Sequence, residues 1–375
     1  MKGHLRNTLM IPILEKSERK KDLSTGPSER PATLDGPRKS IRPELFKSNA
    51  KKAFWAAVVG TTFHLFSFSF LYWMIRYDYD FLLPLGWLLA GTSVTSLFVL
   101  GHDCAHASFL KNNKINDVLG HFFFLFSFYP YYAWKFSHNA HHAHTNNLLF
   151  NEKDVYFDNA WIPFTLKQYS SLRKKTPLRA AIYRYTRYFP PLGSLLHNLI
   201  MHAYPGKFID SHRKKVYLSY VVLLLGLAGI SFGLVALTGK WTAILHFLVM
   251  PGLVFQFWMS YYTYLHHTSD EIYFYQPSDW NPYKGQILST YNFLNPKLIS
   301  YLHFHIDIHT PHHLSTAIPC YHLKEAYSDL LKSDFGKDVK EGKFSLSYLY
   351  KQWKSCHVWD EEGNRYLTFS EAHSR

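Results

Sequence analysis

The sequence predicts an all-α membrane protein: four transmembrane helices in two hairpins, a re-entrant or interfacial segment, and a helical cap on one membrane face. Three observations predict it. Four stretches have the roughly 20 apolar residues that cross a bilayer, and none of them contains Lys, Arg, Asp or Glu. The basic residues are one-sided: of 41 Lys and Arg, only Arg76 and Lys240 fall in the loops that join the stretches pairwise. Three short histidine clusters lie outside the stretches or at their ends, all on the basic side.

Taken in order, residues 1–52 are polar and rich in Lys, Arg, Ser and Pro. No early apolar run reads as a secretory signal peptide. Glu15, Glu18, Asp22 and Glu29 dilute the basic bias a transit peptide needs. The segment is read as a disordered tail that ends in an interfacial stretch near Phe46. The spans follow at Ala53–Ile75 and Phe81–Gly101, then at Val216–Leu237 and Trp241–Tyr262. Leu119–Ala133 is apolar but too short to cross, which suits a re-entrant or interfacial segment. The positive-inside rule places both termini and the middle region in the cytosol. A membrane domain over residues 53–335 and a cytosolic C-terminal tail over 336–375 complete the expected organisation.

Composition excludes several classes. A net charge of +14 suits nucleic acid or an anionic membrane surface. The apolar spans and 18% aromatic content favour the membrane, and no nucleic-acid partner is expected. Cys104, Cys320 and Cys356 are isolated, so they form neither a disulfide framework nor an iron–sulfur ligand set. There is no Gly-rich nucleotide motif. The Tyr-rich basic stretch Arg173–Arg187 reads as a headgroup-facing amphipathic surface or as a docking patch for an acidic electron-transfer partner.

The chemistry lies in His102/His106, His138/His141/His142 and His309/His312/His313. Spacings of i, i+4 and i, i+3, i+4 put imidazoles on one helix face, a turn apart. Imidazole suits Fe, Zn, Cu and Ni. These eight histidines exceed the three or four ligands of one zinc, so two metal ions are the natural count. His267, at the end of the last span, is a candidate ninth ligand, favoured over His266. His121, His144, His303 and His305 are read as non-ligating, and His64 and His246 as hydrogen-bonding within the bundle. Asp103 and Asp307 are candidate acceptors for an imidazole N–H. Pro311 makes the third cluster a helix start, with Thr310 as N-cap and His309 ahead of the helix.

These motifs resemble the three histidine boxes of membrane-bound fatty acid desaturases. The likeness rests on GHDCAHASFL (101–110), NDVLGH (116–121), the box HNAHH within YPYYAWKFSHNAHHAHTN, LHHT (265–268) and HTPHHLSTAIPCYHL (309–323). It runs from about residue 95 to 330 and is nearest to cyanobacterial and plastid-type Δ12 (omega-6) acyl-lipid desaturases. The resemblance implies a di-iron centre on the cytosolic face that uses O2 and two electrons to remove two hydrogens from an acyl chain. It also implies that His102, His106, His138, His141, His142, His309, His312 and His313 bind iron, with His267 at an additional ligand position. Electrons then come from ferredoxin or cytochrome b5, since no redox cofactor motif is present. Phe122–Tyr132 and Phe255–Tyr264 are the stretches expected to line an acyl tunnel. The same boxes occur in acyl hydroxylases, carotenoid ketolases and alkane monooxygenases. A metal transporter would instead need charged or ligating residues at mid-membrane, where these spans carry no formal charge.

Overall fold

Apolar length decides the long elements. The computed structural model describes residues 30–149 and 153–375, and the disorder expected of residues 1–29 lies outside them. Among the described residues the chain is mostly helical, and four helical stretches are long and apolar enough to cross a membrane. A short helix α1 (Asp35–Lys39) precedes α2 (Ala50–Arg76), whose first turn is capped by the Asn49 side chain on the Lys52 N–H. Then come α3 (Leu83–Ala105), α4 (Asn113–Phe124) and α5 (Tyr131–His144). Between α4 and α5 the apolar run Leu119–Ala133 breaks at Phe128, whose φ of 61° is left-handed, so it forms no spanning helix.

The middle region holds α6 (Leu166–Lys175), α7 (Pro177–Tyr188) and α8 (Pro190–His202). Proline opens α7 and α8, where its missing N–H loses no helical bond. The remaining apolar helices are α9 (Asp210–Thr238) and, after a single turn α10 (Thr242–Ile244), α11 (Met250–His267). α9 closes on Gly239 at φ +67°, which turns the chain into α10. A π-helical turn at Leu245–Val249 precedes Pro251, which cannot donate to a regular helical ladder.

α3 is the central helix. From Ala90 to Ala105 every residue is buried, and it packs against α2, α4 and α11. Gly91 permits the closest approach: a Cβ there would sit 2.4 Å from Val254 Cβ and 2.6 Å from the Pro251 carbonyl. α9 is the opposite case. None of its apolar window is buried, and it exposes Leu224, Leu225 and Phe232, a surface that needs lipid as its solvent.

Beyond α11 the chain forms two small sheets and short helices. Strands β1 (Tyr291–Leu294) and β2 (Lys340–Lys343) pair in parallel. Between them lie α12 (Lys297–Leu302), α13 (Thr310–Leu314) and α14 (Leu323–Lys332). After β2 come α15 (Leu346–Ser355), the antiparallel pair β3 (Val358–Asp360) and β4 (Arg365–Leu367), and α16 (Phe369–Ser374).

Two segments differ from the tails expected at 1–52 and 336–375. In residues 30–52, Leu34, Ile41 and Leu45 are buried in the main core, and Arg42 pairs with Asp329 at 2.8 Å. In the C-terminal segment, Val358, Leu367 and Phe369 form one apolar cluster with Tyr169 and Ala180 of α6 and α7. A few large apolar residues inside polar stretches are enough to dock them, and composition averages them away.

Candidate metal centre

Each box is set at a helix end. His102 lies in the last turn of α3, and His106 caps it. His138, His141 and His142 lie in the last two turns of α5. The third box differs slightly from expectation. His309 itself is the N-cap residue, and α13 runs from Thr310, so Pro311 is its second residue rather than its first. Thr310 does not cap; its hydroxyl accepts from Thr290 and Asn292 instead.

The structure brings all nine predicted histidines together, and it sorts them. His102, His106, His138, His142 and His312 form one group; His141, His267 and His313 form a second. His309 joins the second through its Nε2, 2.9 Å from His267 Nε2. Helix geometry explains the sorting. The i, i+4 pairs His138/His142 and His309/His313 each serve one group, while the residues at i+3, His141 and His312, are rotated into the other. The expectation that each triplet shares one face is therefore refined: every triplet supplies both groups.

The spacing of the nitrogens tests whether metal fits. Along His102, His138, His142 and His312, successive Nε2 atoms lie 3.1, 3.1 and 3.0 Å apart. His141 Nε2 lies 3.2 Å from His267 Nε2. His106 Nε2 and His313 Nε2 are buried without a partner. With metal–nitrogen bonds of about 2.1 Å, ligands at about 90° have nitrogens about 3.0 Å apart and tetrahedral ligands about 3.4 Å. The separations in the first group match the right-angled set better than tetrahedral zinc, and the His141–His267 pair lies midway between the two. Burial and neighbouring imidazoles push the pKa of His106, His138, His142, His309, His312 and His313 well below the ordinary histidine value. Neutral imidazole is the form that binds metal.

Outer partners fix which nitrogen faces inward. Asp158, fully buried, lies 2.7 Å from His141 Nδ1 and accepts the backbone N–H groups of Asn146 and Ala160. Asn146 meets this contact in a left-handed conformation (φ 56°), which asparagine tolerates better than most residues. Asp103 lies 3.3 Å from His102 Nδ1 and accepts the Cys320 N–H, as the sequence suggests. Asp307 does not act this way: it accepts from the Asn295 backbone and the Ser300 hydroxyl, bracing the loop before box three.

Three further residues escaped the sequence reading. Gln286 Oε1 lies 2.7 Å from His313 Nδ1, while its amide donates to the His142 carbonyl. Thr145 Oγ1 bonds the His141 carbonyl. Asn292 of β1 accepts the N–H groups of both His309 and Thr310, at 2.8 and 2.9 Å. No motif spacing marks any of them.

The other histidines stay apart. His266 stacks on His309 at 3.9 Å without joining either group. His303 bonds Tyr262 and the Thr92 carbonyl; His305 bonds Ser300; His121 bonds the Asp117 carbonyl and Ser219. His144 belongs to neither group. His64 bonds Ser93, as expected within a bundle. His246 differs: it stacks on Trp87, and its Nδ1 has no partner.

A cavity of about 1140 Å³ runs from His102, His138, His141 and His309 past α8 to α6 and α7. Its walls include Phe98, Trp134, Phe157 and Trp161. Of the stretches expected to line a tunnel, Phe255–Tyr264 contributes Phe255, Met259, Tyr262 and Thr263. Phe122–Tyr132 contributes Tyr129, while Phe123 and Phe124 pack into the core. The wall from residues 153–202 was not anticipated.

Residues 79–340 match the family model described as "Fatty acid desaturase". The chain belongs to that family, whose members are oxidoreductases and use iron. It is also 36% identical over 333 residues to the sn-1 oleoyl-lipid 12-desaturase of Synechocystis sp., covering 88% of this chain and 90% of that one. The protein of the same name from Picosynechococcus sp. is 38% identical over 78% of this chain and 81% of its own. The chloroplastic omega-6 fatty acid desaturase of spinach is 32% identical over 89% and 71%. With four helices fit to cross a bilayer, this desaturase-family chain is a membrane protein.

Asp158→Ala strips His141 of its Nδ1 partner, and such losses lower metal affinity by roughly 10–100-fold. Metal per chain, measured by elemental analysis after dialysis against a chelator, is expected to fall in Asp158→Ala and to hold in Asp307→Asn. Equal retention in both variants would contradict the assignment of Asp158.

Proposed function

We propose that this desaturase inserts a second double bond, at the Δ12 (omega-6) position, into a monounsaturated acyl chain carried by a membrane lipid. The single observation that carries the reading is an apolar-walled cavity ending on two adjacent groups of imidazoles. The Δ12 position and the lipid carrier rest on the names of the relatives, which match most of this chain.

His102, His106, His138, His142 and His312 would hold one iron, and His141, His267, His309 and His313 the other. The iron pair, with O2 and two electrons, supplies the oxidising power that no side chain has for an unactivated methylene. The chain's own task is positional. Asp158, Asp103 and Gln286 set the imidazole tautomers. Trp134, stacked on His138 at 4.1 Å, forms the wall beside the metal site, and Phe98 and Phe255 keep that end of the cavity dry. Among the described residues no redox cofactor motif accompanies the histidines, so the electrons come from an external donor such as ferredoxin or cytochrome b5.

The helices form two hairpins with the boxes on the cytosolic face. The charge asymmetry supports this orientation. The contact of four helix ends with the metal-site side supports the pairing into hairpins. Asn49, before α2, bonds Tyr321; His102 ends α3; His212, early in α9, stacks on Phe136 of α5; and His267 ends α11.

Expression in a bacterium whose lipids are only monounsaturated, with a plant-type ferredoxin supplied, should yield a diene with its new bond at Δ12. His141→Ala and His312→Ala should each abolish it. Unchanged lipids from an iron-loaded protein would refute the reading, and a hydroxylated product would replace it with hydroxylation.

Orientation is read separately. The native thiols are all buried. In spheroplasts, an impermeant maleimide should label Lys240→Cys and spare Ser374→Cys; the reverse pattern would overturn the topology.

A further inference from the structure

The cavity has two unlike ends. One, at α6 and α7, is bordered by Lys167, Lys175 and Arg179, all exposed. The other runs from the histidines back into the bundle. It follows one face of α3 through Val99, Phe98 and Thr95, and one face of α11 through Tyr262, Met259 and Phe255. Thr95 stands seven residues before His102, and Met259 seven before His266. At a helical rise of 1.5 Å per residue, each lies about 10 Å deeper in the bundle than its histidine. Ile306, from the loop after α12, also borders the cavity. Thr95, Phe98, Val99, Tyr262 and Ile306 are buried, so this end is a mainly apolar arm inside the protein.

The arm stops at Thr95 for a structural reason. Among the described residues of α3, none before Thr95 borders the cavity. One turn deeper, Gly91 lets α3 and α11 meet at Val254 and leaves no space between them. Thr92 is tied from two sides. Its hydroxyl accepts the Trp258 indole N–H at 3.0 Å, and its carbonyl accepts the His303 Nε2–H at 3.1 Å. That bond leaves His303 Nδ1 to accept the Tyr262 hydroxyl at 2.7 Å. The Tyr262 oxygen in turn accepts from the Asn295 amide at 2.9 Å. His303 is fully buried, and a satisfied buried network of this kind is rigid. The floor of the arm is therefore a fixed plug.

We propose that this arm receives the methyl end of the acyl chain, and that Thr95 and Met259 at its floor limit how many carbons extend past the metal site. The proposal rests on the desaturase reading above and deepens it with a limit on chain length. Carbon–carbon bonds of about 1.52 Å at about 111° advance an extended chain by about 1.25 Å each. An oleoyl chain reacting at Δ12 runs on for six bonds, about 7.5 Å, and keeps clearance in an arm about 10 Å deep. A gadoleoyl chain, two carbons longer at the methyl end, runs on for about 10 Å and meets the plug. A palmitoleoyl chain, two carbons shorter, leaves apolar wall uncovered. Thr95 and Met259 are in this account specificity-determining residues.

The three chains share a cis-Δ9 bond and differ only at the methyl end, so comparing them reads the arm alone. The full-length protein, kept free of O2 so that no chain is consumed, is mixed in a neutral detergent with equimolar dipalmitoleoyl, dioleoyl and digadoleoyl phosphatidylcholine. Retained lipid is read by native mass spectrometry. The wild type should hold the dioleoyl lipid about tenfold over the dipalmitoleoyl one, the loss that two unburied methylenes give. It should hold it at least about fivefold over the digadoleoyl one, the lower range for overpacking. Thr95→Leu fills the floor and should make the dipalmitoleoyl lipid the best retained. Met259→Ala deepens the arm and should bring the digadoleoyl lipid level with the dioleoyl one or above it. Ile182→Ala, at the α7 end of the cavity, should leave the order unchanged. A wild-type order that persists in Thr95→Leu would overturn the proposal, as would a wild type that holds all three lipids equally. Met259→Ala decides the matter if Thr95→Leu does not fold.

Turnover gives a second readout. With O2 and a reduced ferredoxin supplied, diene yields from the three lipids should follow the retention order and shift in the same directions in the two floor variants. Equal yields from all three in the wild type would overturn the length limit. If no lipid yields a diene, the desaturase reading fails, and the retention order still judges the arm.

Discussion

Everything in this chain is subordinate to one electrostatic problem: nine imidazoles converge with their ring nitrogens facing one another. Asp158, Asp103 and Gln286 engage Nδ1 of His141, His102 and His313, which turns Nε2 of each ring inward. Such nitrogens stand 2.9–3.2 Å apart in both groups. A pair at that distance is attractive only with a proton or a cation between the two. Burial disfavours protonation of His106, His138, His142, His309, His312 and His313, so a metal cation resolves the conflict best. The carboxylates bring negative charge to both groups, and buried Asp158 is tied at the same time to two backbone N–H groups.

The fold supplies the rigidity such a site needs. α3 is buried along its last two-thirds and ends in His102, so the first box is fixed from the core outward. The second box ends α5 and is locked by Asn146 and Thr145. The third box sits on a five-residue helix with little stability of its own. It depends on Asn292, and Asn292 depends on the β1–β2 pair, whose second strand lies near residue 340. The C-terminal segment is therefore part of the site's foundation. α9, by contrast, contributes mainly apolar surface for lipid.

What could be read in the sequence follows from how local each signal is. The i, i+3 and i+4 spacings identified eight of the nine histidines that the structure gathers, because helix geometry is written within five residues, and His267 was read from its place at the end of the last span. Charge-free apolar runs identified the four long helices for the same reason. Sorting into two groups was also local, since residues at i+3 and i+4 diverge around the axis, but it was hidden by treating them as one face. Asp158, Gln286 and Asn292 act across 17 or more residues, and nothing in their neighbourhoods marks them. Asp307 was a plausible decoy: it adjoins a box yet points into a loop. The docking of residues 30–52 and of the C-terminal segment was missed because a few buried anchors, such as Ile41 and Phe369, vanish in a polar average.

Metal stoichiometry tests most directly whether nine histidines hold two metal ions. Full-length protein purified from iron-supplied cells, analysed by elemental analysis and Mössbauer spectroscopy, should carry two iron ions per chain in high-spin, nitrogen-rich sites. His106→Ala and His267→Ala each remove a ligand from a different group, so each should deplete one iron selectively. One ion per chain, tetrahedral zinc in place of iron, or two irons retained in both variants would contradict the account.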